Sequence, residues 1–276
     1  MAYSGYALAD YHVHPDFSID AEGSVDEFCQ AALNAGLAEV CFTTHFDSDP
    51  TLPEAVRSIR IGGRLQPVSD EAVNAYLEAV ARANEAYFPL GLQVNAGIEV
   101  GWYRGCEEKI AALFARFPFA YKLVGLHDLD NECFCYHKTA NKCFAQNTLE
   151  QFADKYFVLI KEMAQSGLFD SIAHLDVYRR FGLAFYGDGV YDIHRERIES
   201  IFEIMAANGT GYEINTSGFR HGFDQFYPTM DIVNLARSMG VRIAAIGSDA
   251  HKPEDVGGNL ESAAQVAYEL FPYCDE

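Results

Sequence analysis

Seven times along this chain a short apolar run of strand-forming residues gives way to a stretch with helical periodicity. That alternation restricts the fold more than any other feature. The runs are Ala7–His12, Ala38–Thr43, Leu92–Val100, Tyr121–Gly125, Asp170–His174, Gly211–Asn215 and Arg242–Gly247. Helical patterns occupy Ser24–Ala35, Asp70–Tyr87, Glu107–Arg116, Leu149–Ser166, Ile193–Ala207, Met230–Met239 and Leu260–Leu270. Strands joined through helices run parallel, because each helix carries the chain back to the starting edge. With no Pro/Ser-rich linker, the seven strand–helix units predict one α/β domain over residues 1–276, a single parallel-strand barrel. An open doubly wound sheet is the competing architecture. Ser24 and Glu27 have capping-box spacing, and Gly36, Gly167 and Gly240 stand where helices end.

The chemistry lies where the apolar runs stop. In Asp10-Tyr11-His12-Val13-His14, residues i and i+2 of an extended segment point the same way, so His12 and His14 face one side as half of a metal site. His45 follows Val40-Cys41-Phe42, Glu99 ends the third run, His127 follows Leu123-Val124-Gly125, and His174 follows Ser171-Ile172-Ala173. Asp249 and His251 follow the seventh run. Of nine histidines, His137, His194 and His221 alone lie away from strand ends. Parallel α/β folds gather the carboxyl ends of their strands at one face, so these side chains are expected to meet in a polynuclear metal site.

These segments, ending in Ser248-Asp249-Ala250-His251, resemble the successive motifs of the polymerase and histidinol phosphatase (PHP) family. The likeness runs from Asp10 to about Gly257. Tyr212–Arg220, Tyr227-Pro228 and His174-Leu175-Asp176 leading to Arg179 and Arg180 are similar to the histidinol-phosphatase branch. The resemblance implies a distorted seven-stranded (β/α)7 TIM-like barrel of the PHP type with two or three divalent ions (Zn, Fe or Mn). It would place the first on His12, His14, Glu99 and Asp249, the second on Asp20, His45 and His251, and the third on Glu99, His127 and His174. It implies Asp10 as a partner orienting an imidazole. His12, His14, Glu99, Asp249 and His251 would be the catalytic set, with Arg179, Arg180, Arg220 and His221 binding substrate. The implied reaction is hydrolysis of a small phosphate monoester, L-histidinol phosphate foremost, by a metal-bound hydroxide; another small ester, a nucleotide or phosphotyrosine is the alternative. Asp47 and Asp128 are candidates to attract a substrate ammonium. Two departures from the family pattern stand out: Thr44 precedes the second-motif histidine in place of an acid, and Gly125-Leu126 precedes His127.

Composition narrows the partners. A net charge of −20 weighs against nucleic acid and anionic membranes, and a nuclease or polymerase module would show a basic track. The apolar run Val241–Ile246 is short and broken by Arg242, so no membrane span is expected. Met1–Gly5 lacks the features of a secretory leader, and seven cysteines form no paired framework, so a cytoplasmic protein with reduced thiols is expected. The Cys133, Cys135, His137 and Cys143 segment reads as an insertion rather than a zinc clip, its spacing being unlike C-x2-C hairpins. Amidohydrolase barrels also use H-x-H, but they want a bridging lysine, and no candidate strand here ends in one. The sequence leaves the oligomeric state open.

Overall fold

A computed structural model describes residues 8–270; the expected strand start at Ala7 and the Met1–Gly5 segment lie outside them. Seven strands appear: β1 (Ala9–Val13), β2 (Glu39–Phe42), β3 (Gln93–Gly101), β4 (Tyr121–Gly125), β5 (Ser171–Ile172), β6 (Gly211–Asn215) and β7 (Ile243–Gly247). Each pairs in parallel with the next, in chain order. The last returns to the first through a single parallel bridge, Val13 to Ala250. The result is a nearly closed parallel barrel, as expected, and not an open doubly wound sheet.

Asp10 completes the seam between β7 and β1. Its carboxylate accepts from the amides of Ser248 (2.8 Å) and Gly257 (3.0 Å), standing in for missing ladder bonds. Those donors offset the desolvation that raises its pKa. Asp10 therefore orients no imidazole, contrary to expectation.

Helices α1 (Val25–Asn34), α2 (Asp70–Tyr87), α3 (Glu107–Arg116), α4 (Leu149–Ser166), α5 (Glu199–Asn208), α6 (Met230–Ser238) and α7 (Leu260–Leu270) follow the predicted patterns. Among them α5 starts later than expected, because Glu196 interrupts the pattern at φ +64°. The Ser24/Glu27 capping box forms, with both reciprocal bonds present. Tyr76 on α2 shows how a helix locks to the barrel: its hydroxyl donates to the carbonyls of Phe42 and Gly97 from a side chain 1 % exposed. No helix among the described residues is long and apolar enough to cross a membrane. An antiparallel hairpin, Ser58–Ile61 with Arg64–Pro67, stands outside the barrel; the sequence patterns did not reveal it.

The barrel floor is built largely of apolar side chains. Cys41, Tyr121, Leu123 and Ala173 pack inside it with Tyr11 and Ala245. In β1, three residue steps from Asp10 to Val13 oppose two from Val40 to Phe42, so the strand carries one extra residue. Such a bulge re-aims side chains. It lets Tyr11 fill the floor while His12 turns to the rim above. Thr43 and Thr44 interrupt β2, after which His45–Phe46 resumes pairing with β3 and sets His45 directly opposite Glu99.

Close approach at the β7 end leaves no room for a side chain on Gly247. A Cβ there would lie 2.3 Å from the His12 Cβ and 2.4 Å from Glu213 Oε1. Gly247→Ala is expected to destabilise the fold by about 1–3 kcal/mol, the usual cost of overpacking. The shift of the denaturant midpoint measures it.

Candidate metal centre at the strand ends

Glu99, at the carboxyl end of β3, is 1 % exposed, and both its oxygens lack a hydrogen-bond donor. Imidazoles turn toward both of them. Oε2 lies 3.3 Å from His12 Nε2, 3.5 Å from His14 Nε2 and 3.0 Å from His45 Nδ1. Oε1 lies 3.3 Å from both His127 Nε2 and His174 Nε2. Asp249 Oδ1 stands 3.6 Å from His12 Nε2 and 3.5 Å from His14 Nε2. Further out, Asp20 Oδ2 faces His45 Nε2 at 3.6 Å and His251 Nε2 at 3.4 Å. All nine residues expected as ligands meet at one rim.

The distances themselves speak to what the rim holds. Most exceed good N–H···O bonds. At metal–ligand lengths of about 2.0–2.2 Å, tetrahedral neighbours stand roughly 3.3–3.6 Å apart. The Nε2 atoms of His12 and His14 have that spacing from both Glu99 Oε2 and Asp249 Oδ1, and His12 Nε2, His14 Nε2 and His45 Nδ1 are buried without a hydrogen-bond partner. An unpaired buried polar atom costs about 1–3 kcal/mol, and a charged one more. Several converging on one point fit a cation. Overlapping triads of the same residues could each hold an ion: His12, His14 and Asp249; His12, Glu99 and His174; His45, Glu99 and His127; and His14, His45 and His251.

Electrostatics agree. Burial opposes charge on Glu99, yet the imidazoles of His12, His127 and His45 hold its carboxyl well below the usual range. Asp249 is depressed in the same way, burial being outweighed chiefly by His12 and His14. Conversely, burial would lower His12, but Glu213, Glu99 and Asp249 push it well above an ordinary imidazole. His45 is raised likewise by Asp20 and Glu99 against burial. His14 goes the other way: burial and the neighbouring His45 and His251 rings keep it neutral.

The residue that sequence reasoning missed is Glu213 on β6. Its Oε1 accepts from His12 Nδ1 at 2.7 Å, which leaves Nε2 as a lone pair aimed at the rim. Its Oε2 accepts from the backbone amide of His174 at 3.1 Å and from Asn215 Nδ2 at 3.0 Å. A carboxylate in a strand whose five residues are all buried was the available signal. Other ligand candidates have their own props. His251 Nδ1 donates to the Asp249 carbonyl at 3.0 Å. Ser18 Oγ accepts from the His45 amide (3.0 Å), sits 3.3 Å from His14 Nδ1, and pairs with Thr44 Oγ1 at 2.9 Å. The Thr44 departure thus completes a hydroxyl pair that supports the His14 imidazole and the His45 backbone. Gly125 is explained too, since a Cβ there would meet Glu99 Oε1 and His127 Nε2, each at 2.6 Å.

The arginines divide. Arg179, expected on phosphate, is fully buried: it binds Asp176 at 2.8 and 3.2 Å, donates to the Phe226 carbonyl at 2.6 Å, and lies 4.7 Å from the Tyr227 ring centroid. A guanidinium so enclosed cannot receive a phosphate from solvent; it braces the Tyr227 ring. Arg180 is exposed, with one bond to the Cys135 carbonyl at 3.4 Å. Arg220 donates to the carbonyls of Ser248 (3.1 Å) and Asp249 (2.7 Å), steadying a residue held at φ +55°. His221, half-buried, lies 3.4 Å from Tyr227 Oη. Cys133, Cys135, His137 and Cys143 form no ligand cluster among the described residues; Cys143 Sγ faces the Leu129 carbonyl.

Two outcomes follow from this geometry. Glu213→Ala is expected to weaken zinc binding about 10–100-fold, the usual cost of losing such a prop, read by chelator competition on the purified protein. In the metal-free protein His12 and His45 keep protons above the ordinary imidazole pKa. A cation needs their lone pairs, so binding must release protons, and affinity must rise with pH until those folded-state values are passed. Calorimetry in buffers of different ionisation enthalpy counts the protons; no release would contradict the charge assignment.

Comparison with known proteins places this arrangement. The PHP domain family profile matches residues 10–217. A probable histidinol-phosphatase of Deinococcus radiodurans is 29 % identical over 263 residues, spanning 94 % of this chain and 92 % of the relative. A histidinol-phosphatase of Lactococcus lactis is 24 % identical, covering 88 % of this chain and 83 % of its own. Among solved structures, histidinol phosphate phosphatase from Lactococcus lactis, complexed with zinc, L-histidinol and phosphate, superposes with a TM-score of 0.75 at 21 % identity, covering 95 % of this chain and 93 % of that one. A putative histidinol phosphatase from Listeria monocytogenes gives 0.76 at 18 % identity, over 92 % and 99 % of the two chains. The strand-end rim, the barrel and the family match agree, and the chain belongs to the PHP family.

Proposed function

We propose that the chain is a metal-dependent phosphatase that hydrolyses a small phosphate monoester, with L-histidinol phosphate as its substrate. The observation that carries the reading is the buried, donorless Glu99 carboxylate, with imidazoles on both oxygens. The relatives named histidinol-phosphatase, and the Lactococcus lactis structure holding zinc, L-histidinol and phosphate, support the substrate.

In this reading His12, His14, Glu99 and Asp249 hold one cation, Asp20, His45 and His251 a second, and Glu99, His127 and His174 a third, as zinc, iron or manganese. When bound, such ions lower the pKa of water toward neutrality and neutralise charge on phosphoryl oxygens. The remaining work falls to the chain. Arg180, exposed and lightly bonded, is free to fork onto non-bridging oxygens. Arg220 holds the Asp249 backbone and adds positive charge beside it. Burial and Arg180 push His221 down to about 3. It is therefore neutral at physiological pH, with one N–H and its Nδ1 lying 3.4 Å from the Tyr227 hydroxyl. Such a ring can donate a hydrogen bond to phosphate but has no labile proton for the leaving group. Asp47 and Asp128, beside His45 and His127, present carboxylates to the ammonium of the substrate.

Turnover of a phosphate-ester panel with zinc, manganese or iron tests the reading. Histidinol phosphate should be the preferred substrate; preference for a nucleotide or phosphotyrosine would overturn the substrate assignment. Glu99→Ala should cut kcat by about 10³-fold or more, as removal of the electrostatic centre implies. Arg180→Ala should chiefly raise KM and leave bound metal unchanged.

A further inference from the structure

Arg60 lies on the hairpin outside the barrel, on no strand that carries a candidate ligand. Its guanidinium nevertheless reaches across to the loop after β1. There Nη1 donates to the carbonyls of Asp16 (2.9 Å), Ser18 (3.0 Å) and Ala21 (3.1 Å), and Nη2 to that of Ile19 (2.6 Å). Its backbone amide adds a bond to the Phe17 carbonyl at 2.9 Å. Every one of these bonds goes to a carbonyl oxygen of residues 16–21.

Four carbonyl dipoles converging on one point repel one another unless a cation sits among them. Here the side chain of Arg60 is that cation. The loop it gathers carries Asp20, whose carboxylate faces His45 and His251. It also carries Ser18, whose hydroxyl accepts from the His45 amide and lies beside His14 Nδ1. Asp20 itself is about half exposed, at 53 %, so packing does not fix its position. The backbone around it does, and Arg60 is what most binds that backbone. The loop's own backbone bonds are fewer: Ser18 N to Pro15 O (2.9 Å), Ala21 N to Ser18 O (3.4 Å) and Asp16 N to Gly23 O (2.8 Å), with Glu22 N to His251 O (2.8 Å) just beyond. A lysine could not replace the fork: its ammonium has three donors on one atom, while the guanidinium spreads five over a plane.

We infer that Arg60 is a positioning residue of the metal centre, holding the loop after β1 so that Asp20 can serve the cation shared with His45 and His251. The hairpin is then part of the metal site, although it supplies no ligand. The inference rests on the reading of Asp20 as a ligand under the proposed function.

The test is zinc binding to the full chain, measured by chelator competition with stoichiometry by elemental analysis, so that it does not depend on catalysis. Arg60→Ala should weaken one zinc by tenfold or more, in the range expected for losing a prop, and leave the others within about threefold. Asp20→Ala should weaken the same zinc, and adding Arg60→Ala to it should weaken that zinc no further, because both act on one ligand. Arg60→Lys, which keeps the charge, should fall between, and it decides the test if the alanine variant does not fold. Wild-type zinc affinity in the Arg60 variants, with Asp20→Ala weakened, overturns the inference alone. So does an undiminished Arg60 effect in the Asp20→Ala background, which marks a general loss of structure. Wild-type binding by Asp20→Ala removes Asp20 from the ligand set and takes the Arg60 inference with it.

Discussion

A carboxylate with no donor on either oxygen, enclosed by imidazoles, is the constraint on which the rim depends. Glu99 sits deep in the barrel mouth, and nothing from the protein backbone or from a hydroxyl neutralises it. A group like that is tolerated when protonated, when paired with protonated histidines, or when shared between cations. Burial opposes the charge on Glu99, and the imidazoles of His12, His127 and His45 favour it, so the carboxyl is held low while the His12 and His45 rings are held high.

The surrounding fold keeps those groups apart at coordination distance rather than letting them collapse into ordinary hydrogen bonds. Parallel register puts His45 opposite Glu99, the bulge in β1 lifts His12 off the floor, and Gly125 and Gly247 leave the space that Glu99, His12 and Glu213 occupy. Backbone strain is concentrated in the same place. His174 at φ +25° and Asp249 at φ +55° are in a region that favours glycine, and non-glycine residues remain there only where neighbours hold them. Glu213 takes the amide of His174; Arg220 takes the carbonyl of Asp249. One buried carboxylate therefore serves two ligand sets, through the ring of His12 and the backbone of His174.

What the sequence made legible follows from the range of the interaction. Strand ends are local, so apolar runs followed by His12, His45, His127, His174 and Asp249 could be read directly, and parallel topology brought them together. Helices with a cap and a stripe were legible for the same reason, Asp70–Tyr87 and Leu149–Ser166 to the residue. Partners joined across the chain were not. Glu213 to His12 spans 201 positions and Asp10 to Ser248 spans 238. Nothing local distinguishes a carboxylate that props an imidazole from one that closes a seam, so Asp10 looks suited to the role that Glu213 fills. Arg179 and Arg180 are adjacent and alike in sequence, but helical geometry turns one inward onto Asp176 and the other to solvent. The Arg60 hairpin left no signal because its strands are short and half of it is exposed.

The charge balance then bears on what kind of molecule the rim can accept. A chain with net charge −20 repels a phosphate dianion over most of its surface. Around Glu99 the carboxylates of Asp20 and Asp249 deepen that field, and Asp47 and Asp128 stand beside them. Under the proposed function, divalent cations would reverse its sign locally and favour the charged forms of Asp47 and Asp128, whose carboxyls burial otherwise pushes up, that of Asp128 to about 6. Arg180 and Arg220 bring positive charge to the neighbourhood of His221, Arg220 sharing its own with Asp255 at 3.5 Å. On the proposed function, a phosphate ester that carries an ammonium is attracted by the cations and by charged Asp47 and Asp128 alike, whereas a phosphate on an anionic body is repelled by those carboxylates.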